Sequence, residues 1–181
     1  MYRMILVAAV AVASCGGTAT SSNPGAGAIA ERGVTDIPPP GARESVQLRH
    51  VFDGDSIEVS LSDGSRAEVR LLGINAPEAD ECHGDFARQA LEGLTADQDL
   101  SIVTDEDDTD QFGRLLRYVY AGNRNVNLAL VASGDALALQ SGHGLEREFV
   151  EAGDAAAQSG LGMWSPSACR WDGNTPQVAL T

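Results

Sequence analysis

Between Val46 and Leu72, apolar and polar positions alternate. Ile57, Val59 and Leu61 are interleaved with Glu58 and Ser60, Asp63-Gly64 supplies a turn, and Ala67, Val69 and Leu71 are interleaved with Glu68 and Arg70. A period of two predicts strands with one buried face, here a twisted hairpin or meander. Further short strands are expected at Leu100–Val103 and Leu115–Tyr120, with Gly122 punctuating the second. Elsewhere the period becomes helical. Asp85 is placed to cap a helix carrying Phe86, Ala90, Leu91 and Leu94 on one face, and Asn125 to cap a second, Val126 to Ser133, closed by Gly134. A third helix carries Leu145, Phe149, Ala152 and Ala156 and stops at Gly160, although Gly153 inside it costs about 1 kcal/mol relative to Ala. Early strands, an inserted helix, more strands and terminal helices predict an α+β domain with a small closed or partly closed barrel.

The two ends do not follow this pattern. Arg3 precedes an apolar run, Met4 to Ala13, which is too short for a bilayer span and suited to the h-region of a secretory signal, so residues 1–14 are expected to be a signal peptide. The run ends in Val12-Ala13-Ser14-Cys15, which resembles the lipobox of bacterial lipoproteins and implies cleavage before Cys15 and its lipidation. Ordinary cleavage after Ala11-Val12-Ala13 is the alternative and would release a secreted protein. Both place the mature chain outside the cytoplasm, lipid-anchored in the envelope in the first case. Residues 15–45 are rich in Gly, Ser and Pro without apolar periodicity and read as a disordered tether reaching about 30 Å. The domain is expected over 46–170 and a flexible tail over 171–181. With Cys15 lipidated, Cys82 and Cys169 remain in an oxidising compartment, and a disulfide between them is the simplest expectation. By the chain-entropy model it would contribute roughly 4–5 kcal/mol.

Charge complicates the choice of partner. Among 181 residues, 26 acidic side chains face 12 basic ones, all Arg, for a formal net charge of −14, or −15 once Arg3 is removed with the signal. Such a surface excludes a general nucleic-acid coat or a binder of anionic membranes, but leaves room for a small cationic site on an acidic body.

No HExxH, GxSxG, P-loop or CxxC motif is present. The acidic run Asp105 to Asp110 fails as a calcium loop, because Phe112 and Val119 fall where oxygen ligands are needed, and reads as a solvated loop, with an accessory cation role as the alternative. Three short segments are more informative: Asp53-Gly54-Asp55-Ser56; Arg70 through Gly73-Ile74-Asn75-Ala76-Pro77-Glu78; and Asp110-Gln111-Phe112-Gly113-Arg114. Each alone is an ordinary turn or strand edge. Together they supply hard oxygen ligands, two planar cations suited to phosphate, and a carboxylate that can act as a base, the parts of a metal-assisted phosphodiesterase.

In this order the segments resemble the staphylococcal nuclease-like (thermonuclease) family, over about Val46 to Trp164, including Tyr118-Val119-Tyr120 and Val126-Asn127-Leu128-Ala129-Leu130-Val131. The resemblance implies a five-stranded OB-fold β-barrel with three helices. It makes Asp55 a calcium ligand, Asp53 a carboxylate that orders water, and Ala76 a carbonyl donor to the metal. Glu78 becomes the general base, and Arg70 and Arg114 the stabilisers of the phosphate and its transition state. The implied reaction is Ca2+-dependent endonucleolytic and exonucleolytic hydrolysis of DNA or RNA to 3′-phosphate ends, by a monomer. Asn75 stands where the family usually has an Asp metal ligand, Phe112 where a Tyr is common, and Asp135-Ala136-Leu137-Ala138-Leu139 lacks base-stacking aromatic residues. The competing expectation is a barrel without catalysis, an OB-type binding or scaffolding module of the envelope, which Asn75 favours. Retention of Arg70, Glu78 and Arg114 together favours the enzyme.

Overall fold

The computed structural model describes residues 35–105 and 109–169, with the backbone of 171–172 and 175–176. The expected signal, Cys15 and most of the expected tether lie outside these residues, as does most of the tail.

Alternation becomes a sheet that closes on itself. β1 (Glu44–Val51), β2 (Ser56–Ser60) and β3 (Arg66–Leu71) form an antiparallel meander, while β1 also pairs with β5 (Leu100–Val103) and β5 with β6 (Leu115–Ala121). β6 then pairs in parallel with β3, matching Val69 with Leu115, Arg70 with Leu116 and Leu71 with Arg117. That last pairing removes both open edges and makes a five-stranded barrel. Val46, Ile57, Val59, Val69, Ile102 and Val119 are among its buried residues. Full burial of each such side chain stabilises by about 1.5–3 kcal/mol. The barrel with three helices is the OB-type α+β architecture expected. Its start shows more order than a bare tether needs: Thr35 accepts a hydrogen bond from Asn125 N (2.9 Å) and Ile37 packs on the core.

The helices cover the barrel. α2 (Val126–Ser133) follows the short strand β7 (Arg124–Asn125) and is apolar nearly all round, because it is packed between β6, α1 (Gly84–Thr95) and α3 (Glu146–Ser159). The Asn125 side chain accepts a hydrogen bond from Leu128 N, and Gly134 ends the helix with φ 78°. Buried Asn127 ties α2 to the barrel, accepting from Val119 N (2.9 Å) and donating to the carbonyls of Leu72 (2.9 Å) and Arg117 (3.1 Å). α1 departs from the sequence expectation. It starts one residue before Asp85, with His83 as its cap, and its buried face is Gly84, Ala87, Leu91 and Thr95. Phe86, expected on the buried face, is 64% exposed and stacks on His83. The register is set by a backbone contact at Gly84, which local periodicity does not reveal.

Candidate active site

The first segment turns between β1 and β2. Asp55 N donates to Asp53 Oδ1 (2.9 Å), the short-range bond that makes Asp a turn former. Gly54 between them is obligatory, because a Cβ there would come within 2.5 Å of Ala76 Cβ and 2.6 Å of Ala87 Cβ. That contact clamps the turn between the second segment and α1. Asp55 is consequently buried, with Oδ2 accepting from Ala76 N (2.6 Å) and paired with Arg70 Nη1 (2.9 Å). Burial pushes its carboxyl up to about 7, opposed by Arg70 and reinforced by the neighbouring Asp53.

The second segment supplies the rest of the cluster. Arg70, at the end of β3, is buried and held on several sides: Nη1 donates to the carbonyls of Ile74 (3.0 Å) and Leu71 (3.3 Å), and Nη2 to Asn75 Oδ1 (3.0 Å). Asn75 lies in β4 (Ile74–Asn75), which pairs with β8 (Leu137–Ala138). Glu78 is half-buried at the mouth of this cluster. Its carboxyl is pushed up by burial and then by Asp53 and Glu81, while Arg70 opposes the rise. Asp53 therefore acts on Asp55 and Glu78 alike, so the first two segments converge on one patch.

Closure of the barrel brings in the third segment. Arg70 is in register with Leu116, two residues from Arg114, so both guanidinium groups open on one cavity of about 280 Å³. Arg114 donates from Nε to Asp110 Oδ2 (2.7 Å), lies over the Phe112 ring at 5.6 Å, and keeps Nη1 3.9 Å from Glu68. Leu72, Leu116 and Leu139 make the cavity wall apolar, and His143 completes it. His143 Nδ1 is 2.7 Å from Tyr118 Oη, which also bonds Asp105 Oδ2 (3.0 Å). Burial holds the imidazole below the usual histidine range and pushes the Tyr118 hydroxyl up.

The structure thus gathers Asp53, Asp55, Arg70, Asn75, Ala76 and Glu78 in one place and joins Arg114 to them through the cavity. Cys82 and Cys169 form a disulfide to one side, with Cα atoms 5.7 Å apart. Sequence reasoning missed the partners. The acidic run Asp105 to Asp110 reads as solvated, yet both its ends are engaged: Asp110 Oδ2 accepts from Arg114 Nε, and Asp105 Oδ2 accepts from Gly144 N (2.7 Å). His143 carried no local signal.

No group of three or more His, Cys, Asp and Glu side chains at metal-binding spacing occurs among the described residues. A donor set of two carboxylates, an amide oxygen and a carbonyl nevertheless fits a hard cation such as Ca2+. Burial, reinforced by the Asp53 charge, raises both the Asp55 and the Glu78 carboxyl, and a cation bound between these groups would oppose both effects.

Comparison with known proteins adds an independent line. The sequence model of the family described as "Staphylococcal nuclease homologue" matches residues 68–166. "Protein ParB" of Escherichia coli is 35% identical over 129 residues, covering 66% of this chain and 71% of that protein. "Micrococcal nuclease" of Shigella flexneri is 34% identical over 129 residues, covering 66% and 72%. "Thermonuclease" of Staphylococcus intermedius is 31% identical over 101 residues, covering 52% and 60%.

Proposed function

The chain belongs to the staphylococcal nuclease homologue family, and we propose that it is a calcium-dependent nuclease that hydrolyses phosphodiester bonds of DNA or RNA outside the cytoplasm. The observation that carries this reading is the pair of guanidinium groups opening on one cavity beside a carboxylate cluster. Asp55, Asp53, the Asn75 amide and the Ala76 carbonyl would hold Ca2+. When bound, the ion offsets the carboxylate charge and polarises the phosphodiester as a Lewis acid.

Glu78 takes a proton from the attacking water or orients it. Its upward shift brings the carboxylate closer to working pH, where a base is more effective. Arg114 engages Asp110 through Nε, which leaves its Nη edge for a phosphate oxygen. Arg70 holds a second oxygen from a fixed position, and together the cations stabilise the extra charge on five-coordinate phosphorus. The apolar cavity wall excludes water and accommodates part of the adjacent nucleotide. The lipobox-like start and the Cys82–Cys169 disulfide support an envelope location, with a monomer anchored through a lipid on Cys15.

A second reading, an inactive OB-type binding module, draws on Asn75, whose amide oxygen accepts from Arg70. Incubation of the chain with single-stranded DNA, duplex DNA and RNA, in Ca2+ or chelator, separates the two. Cleavage is expected in Ca2+, to be lost in chelator and to fall about 10²–10⁴-fold in Glu78→Gln. A wild-type chain that cuts nothing under any metal would sink the enzyme reading. Asn75→Asp adds a charge to the donor set and is expected to tighten Ca2+ binding in calorimetry; unchanged or weaker binding would remove Asn75 from the ligands.

A further inference from the structure

The loop that carries Glu78 runs from residue 78 to residue 84 and closes on itself. Glu81 N donates to the Glu78 carbonyl (2.9 Å), the Glu81 carboxylate accepts from Glu78 N (2.9 Å), and Gly84 N donates to the Glu81 carbonyl (3.2 Å). Gly84 is pressed against the start of the loop, since a Cβ there would come within 1.9 Å of the Glu78 carbonyl oxygen. Movement at residues 82–84 is therefore passed to Glu78 through backbone contact. Ala79, Asp80 and Cys82 are exposed, so the outer side of the loop has little packing to hold it.

Two anchors hold it from outside. Cys82 is bonded to Cys169, 87 residues later and beyond α3. His83 Nε2 is 2.8 Å from Asp135 Oδ1, and Asp135 in turn accepts from Ser133 Oγ (2.5 Å) at the end of α2. Between the anchors the His83 backbone is held at φ 74°, a conformation that L residues other than glycine rarely adopt. A strained backbone of this kind persists only where its surroundings impose it. The disulfide is on the adjacent residue.

We propose that the Cys82–Cys169 disulfide positions Glu78 and makes the nuclease redox-gated, active when the bond is formed and weak when it is reduced. Reduction by a dithiol breaks the S–S bond and delivers two electrons and two protons to give two cysteine thiols, while the dithiol closes to its own disulfide. The reverse exchange, with a disulfide-carrying protein as oxidant, restores the bond. In a reducing cytoplasm the newly made chain would have its base unfixed, and the cell's own nucleic acid would be spared until export. This inference rests on the nuclease reading above and adds its regulation.

The test uses the full chain with Cys15→Ser, so that only two cysteines titrate. Oxidised chain and chain reduced anaerobically with dithiothreitol are compared on single-stranded DNA in Ca2+, with a thiol count and circular dichroism at the assay temperature. On reduction, kcat is expected to fall about ten- to a hundredfold, with KM changed less than about twofold and helical signal retained, and to recover on reoxidation. The doubly substituted Cys82→Ser, Cys169→Ser chain should match the reduced form. In Glu78→Gln, reduction should leave the residual rate unchanged, because the group being positioned is already gone. Equal kcat in both forms would overturn the proposal, as would an equal fold-loss in the Glu78→Gln background or loss of the helical signal on reduction. Absence of cleavage by the oxidised chain would instead overturn the nuclease reading itself.

Discussion

Arg70 and Arg114 face one cavity but are built differently. Arg70 is buried, and carbonyls, an amide and the Asp55 carboxylate fix its guanidinium before any substrate arrives. Arg114 is 27% exposed along its side chain, held by Asp110 through one edge and resting on a Phe112 ring that is itself 74% exposed. A cation that costs nothing to orient suits charge that appears only in the transition state. A cation on a looser mount suits a phosphate that has to enter and leave. The difference also separates stability from activity, since the first arginine compensates a buried carboxylate and the second largely does not.

The largest expected effect comes from Arg70→Ala. Removing the partner of buried Asp55 should destabilise the fold by about 3–5 kcal/mol in urea unfolding and abolish cleavage as well. Should the protein lose activity and keep its stability, the contrast with Arg114 would collapse. Arg114→Ala is expected to lower kcat about 10²–10³-fold while changing stability by less than about 1 kcal/mol, because its ion pairs are partly solvated.

The cavity wall gives a pH test on the Arg114 side. Burial holds folded His143 below its ordinary 6.5, with the Leu139 carbonyl, Glu146, Asp105 and Glu148 opposing the shift. The unfolded chain therefore takes up a proton near 6.5 that the folded chain refuses, and stability should fall as pH drops below that value. His143→Gln should flatten this part of the pH dependence of thermal unfolding; an unchanged slope would reassign it. The smallest effect is expected from Phe112→Ala. Loss of an exposed cation–π contact is worth about 0.5–1 kcal/mol and should raise KM about two- to fivefold with kcat nearly intact.

What could be read from the chain follows the range of the forces involved. β1 and β2 were legible because buried apolar side chains alternate with more exposed polar ones, whereas β5 is buried along its whole length and shows only as a short apolar run. α2 was legible because Asn125 and Gly134 are local end signals. α1 was misregistered, and Phe86 with it, because its start is dictated by the Gly84 contact with Glu78, which no helical periodicity encodes. Two-residue strands such as β4 and β8 are too short to leave a pattern. The three chemical segments stood out by composition and order, yet nothing in their spacing shows that Arg70 and Arg114 line one cavity. The Asp105–Tyr118–His143 chain joins residues on separate elements and had no sequence signature.

The parallel pairing of β3 with β6 is the seam of the barrel, and the two arginines stand on opposite sides of it. Strands joined this way meet late and slowly in folding, because the chain between them must be closed into a large loop first. The active centre therefore does not exist in any partly folded species that leaves the ring open. During refolding, the return of cleavage should lag the return of helical signal, which makes catalysis itself a stopwatch for ring closure.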